Sequence, residues 1–377
     1  MSSKVWITAI IVVAIIAGIA GYYARQPTPP YTSTVTSVST TTITYVSSTT
    51  VTITATSTTT ATTTVTTTTN YYPITVEDAL NRTITLTSEP ATIISLAPSI
   101  TQMLVALGLC NRIVGLDQFS YQLLRSLNLT SCLPANAQVI EINAMSPTGF
   151  NGDAIILLHP DIVLADSGIE AMWVNDLQKL NIAVYFLNGT RAATYTDIER
   201  DILSLGKIFD EIQRAQQIVS WMNYELARYS TPINTTVAYI VWVNPDGSFY
   251  AAGNNTFIAA EIKAAGGIDA INKGGWGPFE PSLLVAANPD VIVLSDMGVN
   301  CTYALKALSN VPGITSVAAY KNGRVYVVTG LAADAVEQPS LLAVYGAAIF
   351  HMAMTGSAPQ CMDSKWFMSQ FGPRPIG

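Results

Sequence analysis

Residues 159–166, "HPDIVLAD", return with small changes as residues 288–296, "NPDVIVLSD". The copies lie about 130 residues apart, and each follows a small and apolar run, "AIILL" before the first and "LLVAA" before the second. Proline clashes with a helix continuing through the residue before it, so His159 and Asn288 are each expected to close a helix. The unbroken apolar runs that follow, "IVLA" and "VIVL", suit parallel strands covered on both faces; a strand with one wet face would alternate. Each copy therefore reads as helix, tight turn and buried parallel strand. Two copies so far apart imply two α/β lobes built on one plan.

Working outward, "TIISLA" is a strand, Pro98 breaks it, and Ser99 with Gln102 has capping-box spacing for the helix "ITQMLVALG". Gly108 suits its C-terminal cap, and "RIVGL" is the next strand. This βαβ unit implies a parallel sheet with a right-handed crossover and a ligand cleft at the carboxyl ends of its strands. Those ends nominate Ser99, then Asp117 or Tyr121, then Asp166 and Ser167. In the second lobe the strand "TVAYIVWVN" ends at Trp242 and Asn244, and Tyr250 precedes Gly253.

Between the lobes, apolar residues recur in steps of three and four from Ile198 to Tyr229, behind a Thr196–Glu199 capping pattern. That spacing predicts one unbroken helix of about 50 Å over residues 196–229, a stiff spine between the lobes. The two-lobed reading stands on that rod and on the two Pro-Asp phrases lying in different sheets. "TFIAAEIKAAGG", "NGRVYVV" and "SLLAVYGAAIFHMA" supply further helices and a late strand of the second lobe.

The N-terminus sets the compartment. Residues 6–23 are uncharged and apolar, with Lys4 before them and Arg25 after. Eighteen residues span roughly 27 Å as a helix, enough for a hydrocarbon core. An uncleaved membrane anchor is expected, with a cleaved signal peptide as the alternative. The Thr/Ser-rich stretch that follows lacks the apolar face a sheet needs and reads as a disordered, O-glycosylated stalk reaching roughly 120 Å. The expected divisions are 1–25 anchor, 26–70 stalk, 71–194 first lobe, 195–230 linking helix, 231–356 second lobe and 357–377 tail. An extracytoplasmic, cell-surface chain permits disulfides, and splitting by lobe pairs Cys110 with Cys132 and Cys301 with Cys361. Sequons at Asn81, Asn128, Asn188, Asn234, Asn254 and Asn300 are candidate glycan acceptors.

The stretches "IISLAPSITQMLVALGLCNRIVGLD", "HPDIVLAD", "GGWGPFEPSLLVAANPDVIVLSD" and "YKNGRVYVV" resemble, in order and spacing, the ABC-importer substrate-binding proteins for cobalamin and iron–siderophore complexes. The resemblance covers roughly residues 74–356. It implies two α/β lobes bridged by one rigid helix, with a ligand between them and a membrane permease and ATPase as partners. It also implies an acid near the start of the helix before each Pro-Asp turn, paired with permease arginines. Asp153 matches in the first lobe. In the second lobe the equivalent position is Ser282, a departure, and Glu280 stands two residues earlier. Trp276 falls where some members place an aromatic against the ligand, and "GGWGP" reads as a loop.

A net charge of −7 without a basic stripe excludes a nucleic-acid footprint. With only His159 and His351, a histidine-built metal site is excluded, and a pre-chelated metal (corrinoid, haem or ferric siderophore) fits better. No P-loop, GxGxxG, GxSxG or HExxH motif supports an enzyme, and no intrinsic cofactor is expected. The sequence reading is therefore a monomeric, membrane-tethered solute receptor of an ABC importer. The alternative is a surface sensor or adhesin on the same fold; a hydrolase lacks a visible nucleophile–base pair.

Overall fold

A computed structural model describes residues 32–34, 62–64, 71–143, 146–295 and 300–372. The chain divides into two compact units, Met1–Asn70 and Tyr71–Gly377. In the first unit, Thr32–Thr34 pairs antiparallel with Thr62–Thr64, so the stretch read as a stalk without sheet carries one short pair. The expected anchor lies outside the described residues, and among those described no helix is long and apolar enough to cross a membrane.

The second unit opens with an antiparallel ribbon, β1 (Ile74–Glu77) and β2 (Thr83–Leu86). The first lobe runs β3 (Ile93–Ser95), α1 (Pro98–Ala106), β4 (Ile113–Asp117), α2 (Gln118–Ser126), β5 (Gln138–Ile140), α3 (Gly152–Leu157), β6 (Ile162–Asp166), α4 (Val174–Lys179) and β7 (Ala183–Leu187). Its five strands lie in the order β5-β4-β3-β6-β7, all parallel, as expected. The order reverses around β3, which opens a crevice at the carboxyl ends of β3, β4 and β6.

After α5 (Tyr195–Ile208) and α6 (Ile212–Ala227), the second lobe runs β8 (Thr236–Val243), β9 (Phe249–Ala252), α7 (Phe257–Ala264), β10 (Ile268–Asp269), β11 (Trp276–Phe279), α8 (Pro281–Ala287), β12 (Val291–Ser295), α9 (Cys301–Ser309), α10 (Ala318–Lys321), β13 (Val325–Val328), α11 (Leu331–Glu337), α12 (Ala343–Thr355), β14 (Cys361–Met362) and α13 (Ser364–Phe371). Its sheet is mixed, correcting the expectation of parallel sheets in both lobes. β8, β12, β13 and β14 are parallel, but β8–β9 and β9–β11 pair antiparallel. The local cause is "NPDG" at residues 244–247. Gly247 takes φ +86° and donates its N–H to the Asn244 carbonyl at 2.9 Å, so the chain reverses in a hairpin.

The repeated phrase does the same job in each lobe. His159 and Asn288 take left-handed conformations, φ +45° and +42°, directly after α3 and α8. Asp161 Oδ2 then accepts from the N–H groups of Ala91 and Thr92 and from Thr92 Oγ1, all within 2.9 Å. In the second lobe Asp290 Oδ2 accepts from the Thr236 N–H at 2.9 Å and from its Oγ1 at 2.7 Å. Each aspartate returns its own N–H to the same threonine hydroxyl. The Pro-Asp turn thus ties a new strand to the start of its parallel neighbour, β6 to β3 and β12 to β8. The two phrases lie in separate sheets.

The linking element is not the expected rod. It is a helical hairpin, α5 and α6, broken over residues 209–211. Asp210 adopts φ +53°, a conformation aspartate tolerates, and the Glu211 N–H closes the turn onto the Gly206 carbonyl at 2.7 Å. The helices then fold back, and Asn223 Nδ2 reaches Glu199 Oε1 at 2.9 Å across 24 residues of sequence. A Cβ added at Gly206 would lie 2.5 Å from the Ala215 Cβ, so glycine is what lets the helices touch. The capping pair is Thr194 and Asp197, two residues earlier than expected. Two helices with a break between them stand where one linking helix over 195–230 was expected, so the two-lobed reading rests on the separate sheets and not on a rod.

The hairpin contacts both lobes. Arg214 Nε donates to the Ala106 carbonyl of α1 at 2.8 Å, and Trp221 lies 6.1 Å from Tyr345 of α12. One apolar core runs from Ile93 and Leu164, through Ile202, Phe209 and Met222, to Tyr239, Val293 and Phe350. Each sheet has a second core on its other face, which is why the strands read as continuous apolar runs. Both expected disulfides form, Cys110–Cys132 and Cys301–Cys361. The second ties the tail to α9. There β14 extends the sheet, and α13 packs Phe367 and Phe371 against Tyr345.

Candidate ligand cleft

A cavity of about 580 Å³ lies between the lobes, lined by residues of both. From the first lobe come the turn at residues 96–99, Asp117, Asp166 and Glu170. Opposite them stand Ser295, Gly330, Asp334 and Glu337. Asp117, Asp166 and Ser295 end strands, Gly330 and the turn at 96–99 follow strands closely, and Glu170, Asp334 and Glu337 lie farther along the segments after β6 and β13. A smaller cavity of about 270 Å³ adjoins it, sharing Thr190, Glu337 and Pro339, with an apolar wall of Val241, Phe257, Ile258 and Trp276. Small-molecule sites commonly span about 300–1,000 Å³.

Each first-lobe carboxylate is held by its local backbone. Asp117 ends β4 and caps α2, accepting from the Phe119 N–H at 2.8 Å and the Ser120 N–H at 3.0 Å, with the Ser120 hydroxyl on its other oxygen. Behind it Ser120, Thr101 and Ser95 form a buried hydroxyl chain with links of 2.9 and 2.8 Å. Burial pushes the Asp117 carboxyl up, and these bonds oppose the shift. Asp166 ends β6. Its oxygens accept from the Thr190 N–H at 2.7 Å, the Gly168 N–H at 2.6 Å and Thr190 Oγ1 at 3.0 Å. Gly189, at φ +53°, leaves room for this: an added Cβ would lie 2.2 Å from the Asp166 carboxyl carbon.

The loop at residues 188–190 is clamped a second time by Asp201 of α5. That carboxylate accepts from both nitrogens of Asn188, at 3.0 and 2.8 Å. Burial pushes Asp201 up to about 6. The Asn188 carboxamide, one of the sequons, is therefore engaged inside the fold. Glu170 accepts the Asp166 N–H at 2.6 Å. Its burial, then the charge of Asp166, push it up to about 9.

In the second lobe α11 carries Asp334 and Glu337. Tyr239 donates its phenol to Glu337 at 2.6 Å. Burial, then Glu337, push Asp334 up to about 7. The lobes are bonded at the cleft floor. Ser340 Oγ donates to the Ser99 carbonyl at 2.9 Å, the Leu342 N–H to Gln102 Oε1 at 3.3 Å, and the Tyr195 phenol to the Ala343 carbonyl at 2.8 Å. Ser99 and Gln102, expected to cap α1, instead lie inside it and serve this seam; Ala97 occupies the cap.

Ser99, Asp117 and Asp166 line the larger cavity and Trp276 the smaller one. Tyr121, Ser167, Trp242, Asn244 and Tyr250 line neither. Tyr121 is exposed on α2. Ser167 is buried, bonding the Asn188 carbonyl. Trp242 and Tyr250 stack on each other at 4.2 Å, and Asn244 bonds Trp242 and Ser248 within the hairpin turn. Trp276 lies on β11 rather than in a loop, and is 41% exposed. Glu170, Thr190, Asp334 and Glu337 were not nominated from sequence. The strand-end argument applied after "RVYVV" would have reached Gly330 of the cavity wall, whereas Asp334 and Glu337 lie farther along α11.

On the outer surface Asp153 lies in the first turn of α3, beside the exposed Ile156 and Leu157. Glu280 precedes Pro281 at the cap of α8 and is exposed. Among the described residues no cluster of His, Cys, Asp and Glu could hold a metal ion.

Residues 93–330 match a family model described as "Periplasmic binding protein". A cobalamin-binding protein of Halobacterium salinarum is 30% identical over 68% of this chain and 68% of its own length. An uncharacterized ABC transporter substrate-binding lipoprotein of Bacillus subtilis, YvrC, is 27% identical over 69% of this chain and 79% of its own. Among solved structures, an ABC-type Fe3+-hydroxamate transport system protein from Saccharomonospora viridis shares the fold with a TM-score of 0.61 at 21% identity, covering 75% of this chain and 99% of that one. A periplasmic heme-binding protein from Roseiflexus matches with a TM-score of 0.55 at 20% identity, covering 70% of this chain and 98% of that one.

Proposed function

We propose that this chain, which belongs to the periplasmic binding protein family, captures a metal chelate between its lobes and delivers it to the permease and ATPase of an ABC importer. Membership makes it a solute-binding protein and not an enzyme. The observation that carries the chelate reading is the cavity at the strand ends of both lobes, continuous with an apolar wall that presents Trp276. An indole face suits a corrin or chelate ring. The relatives support the class, since their ligands include cobalamin, Fe3+-hydroxamate and heme.

The lobes share one core through the hairpin, so capture proceeds with modest closure and no bond-making. The receptor works as a monomer outside the cytoplasm, held to the membrane by residues 6–23. Asp153 and Glu280 meet permease arginines. Native mass spectrometry of the compact unit Tyr71–Gly377 with cobalamin, haem and ferric chelates tests the reading: retention of at least one is expected, and refusal of all overturns it.

A further inference from the structure

Among the described residues, five carboxyl side chains line the larger cavity, Asp117, Asp166, Glu170, Asp334 and Glu337, and no lysine, arginine or histidine does. Four of the five are already engaged: Asp117 by a helix cap, Asp166 by the Thr190 loop, Glu170 by the Asp166 N–H and Glu337 by Tyr239. Asp334 differs. Among the described residues no hydrogen bond or ion pair engages its carboxyl, and its resolved neighbour is another acid, Glu337, one helical turn along α11. Burial, then Glu337, push Asp334 up to about 7, and burial, then Asp166, push Glu170 up to about 9, so proton uptake competes with a counter-charge at this floor.

Asp117, Asp166 and Glu170 are buried and Asp334 and Glu337 half-buried, and carboxylates crowded out of water in this way are unfavourable unless a proton or a cation neutralises them. The adjoining wall of Val241, Phe257, Ile258 and Trp276 meets this acidic floor at Glu337, so an occupant lies with an apolar face on one side and carboxylates on the other. Resting on the chelate-capture reading, we propose that the cleft selects chelates carrying a positive charge on an apolar or amide framework, with Asp334 and Glu337 as the residues that read the charge. Anionic chelates are rejected, because among the described residues no cationic side chain lines the cavity to receive them.

The test is a charge series on one framework, titrated by tryptophan fluorescence against the compact unit Tyr71–Gly377. Ferrioxamine B has a cationic amine, its N-acetyl derivative is neutral there and its N-succinyl derivative is anionic. Cationic aquocyanocobinamide and neutral dicyanocobinamide form a second pair. Affinity is expected to fall at least about tenfold with each step from cation to anion at low salt, and to converge at high salt. Asp334→Asn with Glu337→Gln is expected to flatten the series. Equal or tighter binding of the anionic form overturns the proposal, and a dependence that survives both substitutions overturns the assignment to these residues. The wild-type series decides the first point even if the variant fails to fold. Refusal of every chelate, whatever its charge, overturns the chelate-capture reading instead, and is distinct from retention of all forms alike, which removes only the charge filter.

Discussion

Replacing Gly206 with alanine separates a helical hairpin from a continuous rod by the sign of its effect. On an exposed helix Gly→Ala stabilises by about 0.5–1 kcal/mol, because glycine loses more chain entropy on folding. In the hairpin the new Cβ meets the Ala215 Cβ at 2.5 Å and comes within 3.2 Å of the Glu211 carbonyl oxygen. Ordinary carbon contacts need about 3.5–4 Å, so α5 and α6 must separate by about 1 Å or more. Overpacking of this kind costs about 1–3 kcal/mol, and more than offsets the gain in propensity. The strain also bears on the Asn223–Glu199 contact and on the core shared by both lobes. Urea unfolding of the compact unit reads the outcome as a lowered midpoint at unchanged slope. Ala215→Gly should rescue Gly206→Ala, with a coupling energy of about 1–3 kcal/mol in the double-mutant cycle. A stabilised Gly206→Ala variant, or one whose effect simply adds to that of Ala215→Gly, refutes the hairpin.

Three further outcomes follow from the same structure. Asp201, Asp334 and Glu170 titrate in the fold near 6, 7 and 9 against about 4 in the unfolded chain, so the folded state keeps protons that the unfolded state has lost, and stability falls as pH rises from about 5 to 9. A melting temperature higher at pH 8.5 than at pH 5.5 contradicts this. The Cys301–Cys361 bridge closes a loop with a sequence separation of 60, so replacing both cysteines with serine should lower stability by about 4 kcal/mol, against about 3 for the 22-residue separation of Cys110–Cys132. The ordering of the two losses in chemical unfolding checks it. Asp153→Arg and Glu280→Arg should reduce uptake in cells while chelate binding to the purified protein is unchanged; intact uptake in both removes the docking assignment.

The Pro-Asp phrases, both disulfide pairings and the strand-end positions of Ser99, Asp117 and Asp166 were all legible in the sequence. Their causes are local or nearly so: a proline ends a helix, a left-handed residue turns the chain, and an aspartate ties down the threonine of the adjacent strand. The apolar runs announced strands buried on both faces because burial is written into each residue along the run. The NPDG hairpin was also written there, in a turn sequence that favours antiparallel pairing over the parallel sheet assumed.

Tertiary structure alone decided the link between the lobes and the electrostatics of the cleft. Apolar spacing of three and four passes through residues 209–211 without interruption, because Phe209 and Ile212 keep the step while Asp210 turns the chain between them. The break exists because Gly206 and Ala215, nine positions apart, come into contact only once the helices fold back. Asp334, Glu170 and Asp117 are distant in sequence and ordinary in isolation. Folding places them around one cavity, Asp117 and Glu170 buried and Asp334 half-buried, with no cationic side chain among the described lining residues, and the depth of that burial is set by neighbours from both lobes rather than by any property of the residues alone.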